Sequence, residues 1–353
     1  MKLRILPIIL KIAPGFLGAF FLGLASTGCK DKDQGADWSG QSHPPAATAN
    51  APKPAAPPLP TPAPASTEPV AADESPLEGT HVRLVTYNVE NWLTMDRYVK
   101  GKPVPGAPKP EAERHAVTEA IASAKPDILG ISEIGNEGDV KDLQKHLSDA
   151  GLDLPHFHLN RGADPTRSLV ILSRYPIGKT VVHENLSYTI SGKEYGMQRG
   201  ILDASIDTPA GAFRFLGVHL KSKRDVEEGD QEEMRRQEAH LLRRELDSIL
   251  QGDPQARLVV YGDFNDTRNS PTMKTVHGSG KGPTALNMIA LKDSRGQYWT
   301  HYWDYQDTYT RIDYVLVSQA LRRSVEWDLS KIIDNDAVAG ASDHRPLLVI
   351  LKK

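Results

Sequence analysis

The chain has 353 residues, of which 39% are hydrophobic, enough to bury the core of one large domain or two ordinary ones. Its 42 Lys and Arg nearly balance 45 Asp and Glu, which excludes a global basic field that would gather nucleic acid nonspecifically but leaves room for a local basic cleft. Cys29 is the only cysteine, so an internal disulfide and a thiolate zinc cluster are both excluded.

Met1-Lys2-Leu3-Arg4 is a basic start, followed by an apolar stretch over 12–24 and by Ala25-Ser26-Thr27-Gly28-Cys29. This order resembles a bacterial lipoprotein signal, in which the cysteine is lipidated and becomes the new first residue. Ser26 stands three residues before the cysteine, where that signal usually has leucine. An uncleaved anchor and an ordinary secretory signal are the alternatives; the segment is short and is interrupted by Lys11 and Pro14. Each reading exports the rest of the chain, and the first holds it on a membrane through Cys29, in the periplasm or at the cell surface. Residues 30–80 are rich in Pro, Ala, Ser and Thr and bury too little apolar surface to offset the entropy of ordering. They read as a semi-rigid tether, which at ~3.1 Å per residue reaches on the order of 150 Å when extended.

Residues 81–353 read as one catalytic domain without a clear internal repeat. The pattern predicts a strand over 82–89, a helix over 111–124 ended by Lys125-Pro126, a buried strand over 127–132, and a helix over 139–150 stopped by Gly151. Strands follow over 168–173, 180–186, 200–206 and 212–220. The longest helix spans 227–250, with Met234, Leu241, Leu242, Leu246 and Ile249 at helical spacing. Three more strands lie over 257–261, 311–317 and 347–351. This alternation predicts an α/β fold of mixed sheets with helices outside.

Polar residues recur where these strands end: Asn88 and Glu90, Glu133, His219, Asp263 and Asn265, with Asp313 inside its strand and Asp343-His344 before the last one. One such residue means little, because strand ends meet solvent. Six placements rich in carboxylate, amide and imidazole predict convergence on one site. Alternation along an extended chain predicts that Asp263 and Asn265 face the same way.

The phrases Gly262-Asp263-Phe264-Asn265 and Ser342-Asp343-His344, with Tyr87-Asn88 and Glu133 before them, resemble the endonuclease/exonuclease/phosphatase superfamily in its own order, over about three quarters of the chain. That group includes pancreatic-type deoxyribonucleases, abasic-site endonucleases, bacterial sphingomyelinases, inositol-polyphosphate phosphatases and deadenylases. Ser132 stands where the family usually has glutamine before the glutamate. The resemblance implies two mixed β-sheets packed face to face with helices outside, a four-layer α/β sandwich. It also implies Mg²⁺ or Mn²⁺ on Glu133, with Asn88, Glu90 and Asp343 nearby. Asp263 would orient or deprotonate the attacking water, Asn265 would donate to a phosphoryl oxygen, and His219 would contact the scissile phosphate. His344 would stabilise the transition state with Asp313 fixing its ring, and the resemblance leaves open which of Asp263 and His344 is the base. The expected reaction is water attack on a phosphate ester by a monomer, with a phosphodiester of DNA or RNA as the first substrate and a phospholipid or small ester as the alternative. An inactive phosphate-binding member is the alternative of another class.

Arg167 and Lys221 are candidates for gripping substrate phosphates. Asp313 has a blander alternative, an ion pair with Arg311 or Arg345. The aromatic concentration Tyr298, Trp299, His301, Tyr302, Trp303, Tyr305 and Tyr309 suits loop packing, an apolar pocket or a base-stacking surface. No apolar hairpin of the membrane-inserting kind is legible, and the glycines around 278–282 read as a turn rather than a phosphate loop.

Overall fold

The computed structural model describes residues 80–99, 102–224, 229–280 and 282–353; the signal, Cys29 and the tether lie outside them. Six strands form the first sheet: β1 (His81–Trp92), β2 (Ile128–Ile134), β3 (His156–Asn160), β4 (Ser168–Ser173) and two late strands. The second sheet takes β5 (Ile177–Thr180), β6 (Leu202–Thr208), β7 (Gly211–His219), β8 (Leu258–Asp263), β9 (Asn287–Met288) and β10 (Asp313–Val317). The late strands β11 (Lys331–Ile332) and β12 (Leu347–Lys352) return to the first sheet, whose order is β11-β12-β1-β2-β4-β3. The second sheet has the order β9-β10-β8-β7-β6-β5.

Each sheet contains one parallel pair between antiparallel neighbours. In the first, β1 and β2 are parallel and are joined through α1 (Glu111–Ser123); in the second, β7 and β8 are parallel and are joined through α3 (Gln231–Gly252). A parallel pair needs such a crossover, and it brings the carboxyl ends of both strands to the same edge of the sheet. Helix α2 (Glu137–Asp149) starts at a capping box between Asn136 and Asp139. The short α4 (Pro271–His277) packs beside α3.

Strand alternation sorts the core into three layers of contact. Val82, Leu84, Ile128, Leu169 and Ile171 meet Phe213, Phe215, Val259, Tyr261, Val315 and Val317 between the sheets. Val85, Tyr87, Leu129 and Ile131 face outward onto Val117, Ile121, Leu143 and Leu147 of the first pair of helices. Leu216, Val218, Val260, Tyr314 and Leu316 face outward onto Met234, Leu242, Leu246 and Met273 of the second. The four-layer α/β sandwich is therefore the observed architecture. The two sheets come close where Tyr261 crosses the interior: a Cβ on Gly130 of β2 would lie 2.1 Å from its ring, and one on Gly217 would lie 2.8 Å from its hydroxyl.

Several boundaries differ from expectation. The helix before Pro126 stops at Ser123, with Lys125 in the left-handed region at φ 47°. The strand expected over 180–186 lies earlier, at Ile177–Thr180, because pairing with β6 ends there. Strand β3 and three hairpins, Met95–Val99 with Lys102–Ala107, Ser187–Ile190 with Lys193–Gly196, and His301–Trp303 with Thr308–Thr310, were not legible. These runs are only three to six residues long, too short for their pattern to mark them apart from loops, and they are defined by their partners.

Candidate active site

The interior-facing positions of the second sheet are 213, 215, 217 and 219 on β7, 259, 261 and 263 on β8, and 313, 315 and 317 on β10. The apolar members line the core, and the polar ones stand at the open end. Pairing sets His219 directly opposite Asp263, and Asp263 opposite Asp313. Paired residues share a sheet face, so imidazole and two carboxylates form one row. In the first sheet the same period carries 82, 84 and 86 to Asn88, whose cross-strand partner is Ser132. The two polar edges thus face each other across the end of the sandwich.

His344 precedes β12 and completes the row. Its Nδ1 donates to Asp313 Oδ2 at 2.9 Å, and its Nε2 lies 3.7 Å from Asp263 Oδ2. Asn88 Nδ2 donates to Asp263 Oδ2 at 3.2 Å and to Glu133 Oε1 at 3.3 Å, linking the two sheets. His219 Nε2 lies 3.6 Å from Asp263 Oδ2 and 4.0 Å from Glu133 Oε1. Asp313 does not follow its blander alternative: Arg345 pairs with Asp293 at 2.9 Å, and Arg311 donates to the Ile289 and Leu291 carbonyls.

Three site residues occupy left-handed backbone: Glu90 at φ 47°, Glu133 at φ 64° and Asn265 at φ 52°. Such conformations are costly for non-glycine residues and persist where surrounding contacts enforce them. At Glu133 the turn interrupts the register between β2 and β4 and moves the carboxylate away from where alternation would send it. The expectation that Asp263 and Asn265 share a face through strand alternation is corrected at this point. Strand β8 ends at Asp263, and Asn265 reaches the same side because its own N–H donates to Asp263 Oδ1 at 2.8 Å, closing a turn. One Asn265 Nδ2 bond goes to the Leu220 carbonyl at 2.9 Å, and the group also lies 3.4 Å from Asp263 Oδ2.

The electrostatics separate the titratable groups. Burial, and then the Asp313 charge, push the Asp263 carboxyl up to about 7. For His344 burial acts downward, but Asp313 and Asp263 outweigh it and hold the ring well above its ordinary value, as an imidazolium. His219 goes the other way: burial, then Arg199, His344, Arg167 and Lys221, keep it neutral, and its buried Nδ1 has no hydrogen-bond partner among the described residues.

At the edge of the first sheet stand Glu133, Glu90 and Asp343. The Asp343 N–H donates to Glu90 Oε2 at 3.3 Å, and the Asn91 N–H donates to Glu133 Oε2 at 3.1 Å. Burial, and then repulsion by Asp343, raise the Glu90 carboxyl. Burial would also raise Asp343, but His301 and His344 overcome it and hold that carboxyl low. These are hard oxygen donors, and with Asn88 they fit a divalent cation, whose charge would relieve the repulsion between Glu90 and Asp343. The tightest carboxylate and imidazole groups among the described residues are His301 with Asp343 and His344, and Asp263 with Asp313 and His344. Glu133 belongs to neither and joins the site through Asn88.

Arg167 lies beside this edge, with its Nε donating to Asn91 Oδ1 at 2.7 Å and standing 3.8 Å from Glu133 Oε2. Arg199 pairs with Asp164 at 3.1 Å. The Glu238 carboxylate of α3, fully buried, accepts the N–H groups of Gln198 and Lys221 at 2.9 and 2.7 Å and so ties the segments that carry Arg199 and His219.

Lys109, Thr300 and His301 were not singled out as site residues from the sequence. Lys109, 1% exposed, donates to the Glu90 carbonyl at 3.0 Å and pairs with Glu113 at 2.9 Å. Thr300 Oγ1 accepts the N–H groups of Ile312 and Asp313, each at 3.1 Å. The His301 ring packs on His344 with centroids 4.7 Å apart. No local signal marks Lys109 or Thr300, whereas His301 is legible as a member of the aromatic concentration.

The fold is shared with solved structures of low sequence identity. The human Nocturnin catalytic domain with bound sulfate matches at TM-score 0.53 and 18% identity, over 77% of this chain and 95% of that one. An endonuclease/exonuclease/phosphatase from Bacteroides vulgatus matches at TM-score 0.53 and 20% identity, over 77% of this chain and 99% of that one. A Staphylococcus aureus beta toxin mutant with bound magnesium ions matches at TM-score 0.51 and 14% identity, over 78% of this chain and 100% of that one. No curated protein sequence matches the chain. The sequence pattern that defines the Endonuclease/Exonuclease/phosphatase family extends over residues 86–344, the span that holds both polar sheet edges. The chain therefore belongs to the endonuclease/exonuclease/phosphatase family, whose general chemistry is phosphoester hydrolysis.

Proposed function

We propose that this protein hydrolyses phosphodiester bonds of nucleic acid by metal-assisted attack of water at phosphorus. The observation that carries the reading is the unbroken series Asp313, His344, Asp263, Asn88 and Glu133, in which each side chain contacts the next within 3.7 Å. Asp263 is the base: its raised carboxyl titrates near neutrality, so its ionised form takes a proton from water effectively. His344 is already protonated between Asp313 and Asp263 and places a fixed positive charge where the phosphoryl oxygens gain negative charge. His219, neutral, directs Nε2 to the same point, and Asn265 supplies an amide donor. A magnesium or manganese ion held by Glu133 with Asn88, Glu90 and Asp343 would polarise a phosphoryl oxygen. The bound magnesium of the related beta toxin supports that choice.

A panel of DNA, RNA, sphingomyelin, inositol phosphates and aryl phosphate diesters, assayed with Mg²⁺, Mn²⁺ and chelator, tests this reading. Nucleic acid cleavage that stops with chelator and in both Asp263→Asn and His344→Ala is expected. Turnover that survives chelation, or that both variants retain, refutes the mechanism. The export reading, which lies outside the described residues, is proposed alongside: a fatty-acid label incorporated in a bacterial host is lost in Cys29→Ala.

A further inference from the structure

The hairpin His301–Trp303 with Thr308–Thr310 is built onto the catalytic segment. The Tyr302 N–H donates to the Asp343 carbonyl at 2.9 Å, the Arg345 N–H donates to the Thr300 carbonyl at 2.7 Å, and His301 bridges His344 in antiparallel fashion. Residues paired across such a bridge share a face, and the rings of His301 and His344 do touch. Alternation then puts Trp303 on that same face, two residues or about 7 Å further from the reacting centre. Tyr302 and its cross-strand partner Tyr309 take the opposite face, where their rings stack on each other. Trp303 is 47% exposed and Tyr305 84%, with ring centroids 6.0 Å apart.

We propose that Trp303, with Tyr305 beside it, stacks on a nucleobase next to the scissile phosphate, so that the preferred substrate is single-stranded at that position. The inference rests on the phosphodiesterase reading and names the part of the substrate that the phosphate-binding groups do not reach. Asp304 and Asp307 stand exposed in the turn of the hairpin, next to the two rings in the chain, with Asp307 accepting the Tyr302 hydroxyl at 3.1 Å. Two carboxylates there disfavour a phosphate and favour an uncharged flat group. The same two carboxylates oppose burial of the hairpin tip in a lipid surface, because each would lose its hydration there. A base in a duplex has both faces covered, whereas an unpaired base offers one to a ring and is held without readout of its identity.

The test uses the full chain carrying Asp263→Asn, with a fluorescently labelled single-stranded oligonucleotide and Mg²⁺, read by anisotropy. Adding Trp303→Ala is expected to weaken binding about tenfold, the lower range for one base stack, while Trp303→Phe keeps most of the affinity. An abasic nucleotide next to the scissile position erases the difference that Trp303→Ala makes. In the active enzyme, Trp303→Ala raises KM for the intact oligonucleotide more than for one with an abasic nucleotide next to the scissile phosphate. Equal affinity for the intact oligonucleotide with and without Trp303→Ala overturns the proposal. So does binding to phosphatidylcholine or sphingomyelin vesicles that depends on Trp303 while oligonucleotide binding does not. Failure of every phosphate ester to turn over refutes the enzymatic reading instead, because the anisotropy arm needs no turnover.

Discussion

An alanine at position 262 would place its Cβ 1.9 Å from the Val218 carbonyl oxygen, and Gly262 has φ 134°. Two costs add. A non-glycine residue in that backbone region carries about 1–3 kcal/mol of strain, and relieving the overlap carries about 1–3 kcal/mol more, as for other overpacked interiors. The sum, roughly 2–6 kcal/mol, is a large share of the ~5–15 kcal/mol that holds a domain folded. Contacts below 3.0 Å are essentially never made by a real Cβ, so β7 and β8 must separate locally by about 1 Å, a displacement on the scale that costs about 10²-fold in rate. The shift falls one residue before the pair His219 and Asp263. Gly262→Ala is therefore expected to lower the urea midpoint, read by tryptophan fluorescence, and to reduce kcat in the fraction that remains folded. Gly252→Ala is the control, since nothing lies within 4 Å of its added Cβ. A Gly262→Ala protein with the parental midpoint and parental kcat would refute the reasoning.

Asp313→Asn leaves the ring of His344 without the carboxylate that keeps it charged, so kcat falls on the order of 10²-fold or more, and the His344 titration seen by NMR moves down. Activity rises with pH through the range near 7 as Asp263 loses its proton, since only the carboxylate accepts one from water; a flat profile from pH 5 to 8 in the loaded enzyme argues against Asp263 as base. His183 bridges Asp203 at 2.8 Å and Glu245 at 3.0 Å, and although burial acts downward, these partners raise its pKa. A raised histidine contributes stability that is full below its unfolded value and is lost as pH rises through the folded one. Urea midpoints of the native protein should therefore fall between about pH 6.5 and the raised folded value more than those of His183→Phe. Glu133→Gln is expected to abolish the heat of Mg²⁺ binding in calorimetry and the rise in melting temperature on adding the ion, with the metal-free melting temperature close to that of the parent.

Much of this was readable before any coordinates. Strand periods of two and helix periods near 3.6 located the principal elements, because solvent on one face and core on the other impose those spacings on residue choice. Polar residues at the ends of otherwise apolar strands marked Asn88, Glu133, His219, Asp263, Asn265, Asp313 and His344 as candidates, since six such placements together predict convergence, and the fold gathers them at one end of the two sheets. Local pattern did not contain the partners. Lys109 and Thr300 look like ordinary surface residues in one dimension, yet the first is buried against the Glu90 carbonyl and the second carries the N–H groups of the Asp313 turn.

The sequence by itself determined which residues could do chemistry and which faces must be buried, because both follow from side-chain type and short-range spacing. Only the tertiary structure decided what those residues are. Register across three strands, rather than proximity in the chain, sets His219 beside Asp263 and Asp313. Left-handed backbone at Glu133 and Asn265, rather than alternation, aims their side chains. A bridge to His344, rather than aromatic composition, brings the His301 ring onto the catalytic imidazole. Pairing, turn closure and desolvation depend on residues far apart in the chain, so the protonation of Asp263 and His344 and the reach of the cleft exist only once the two sheets have met.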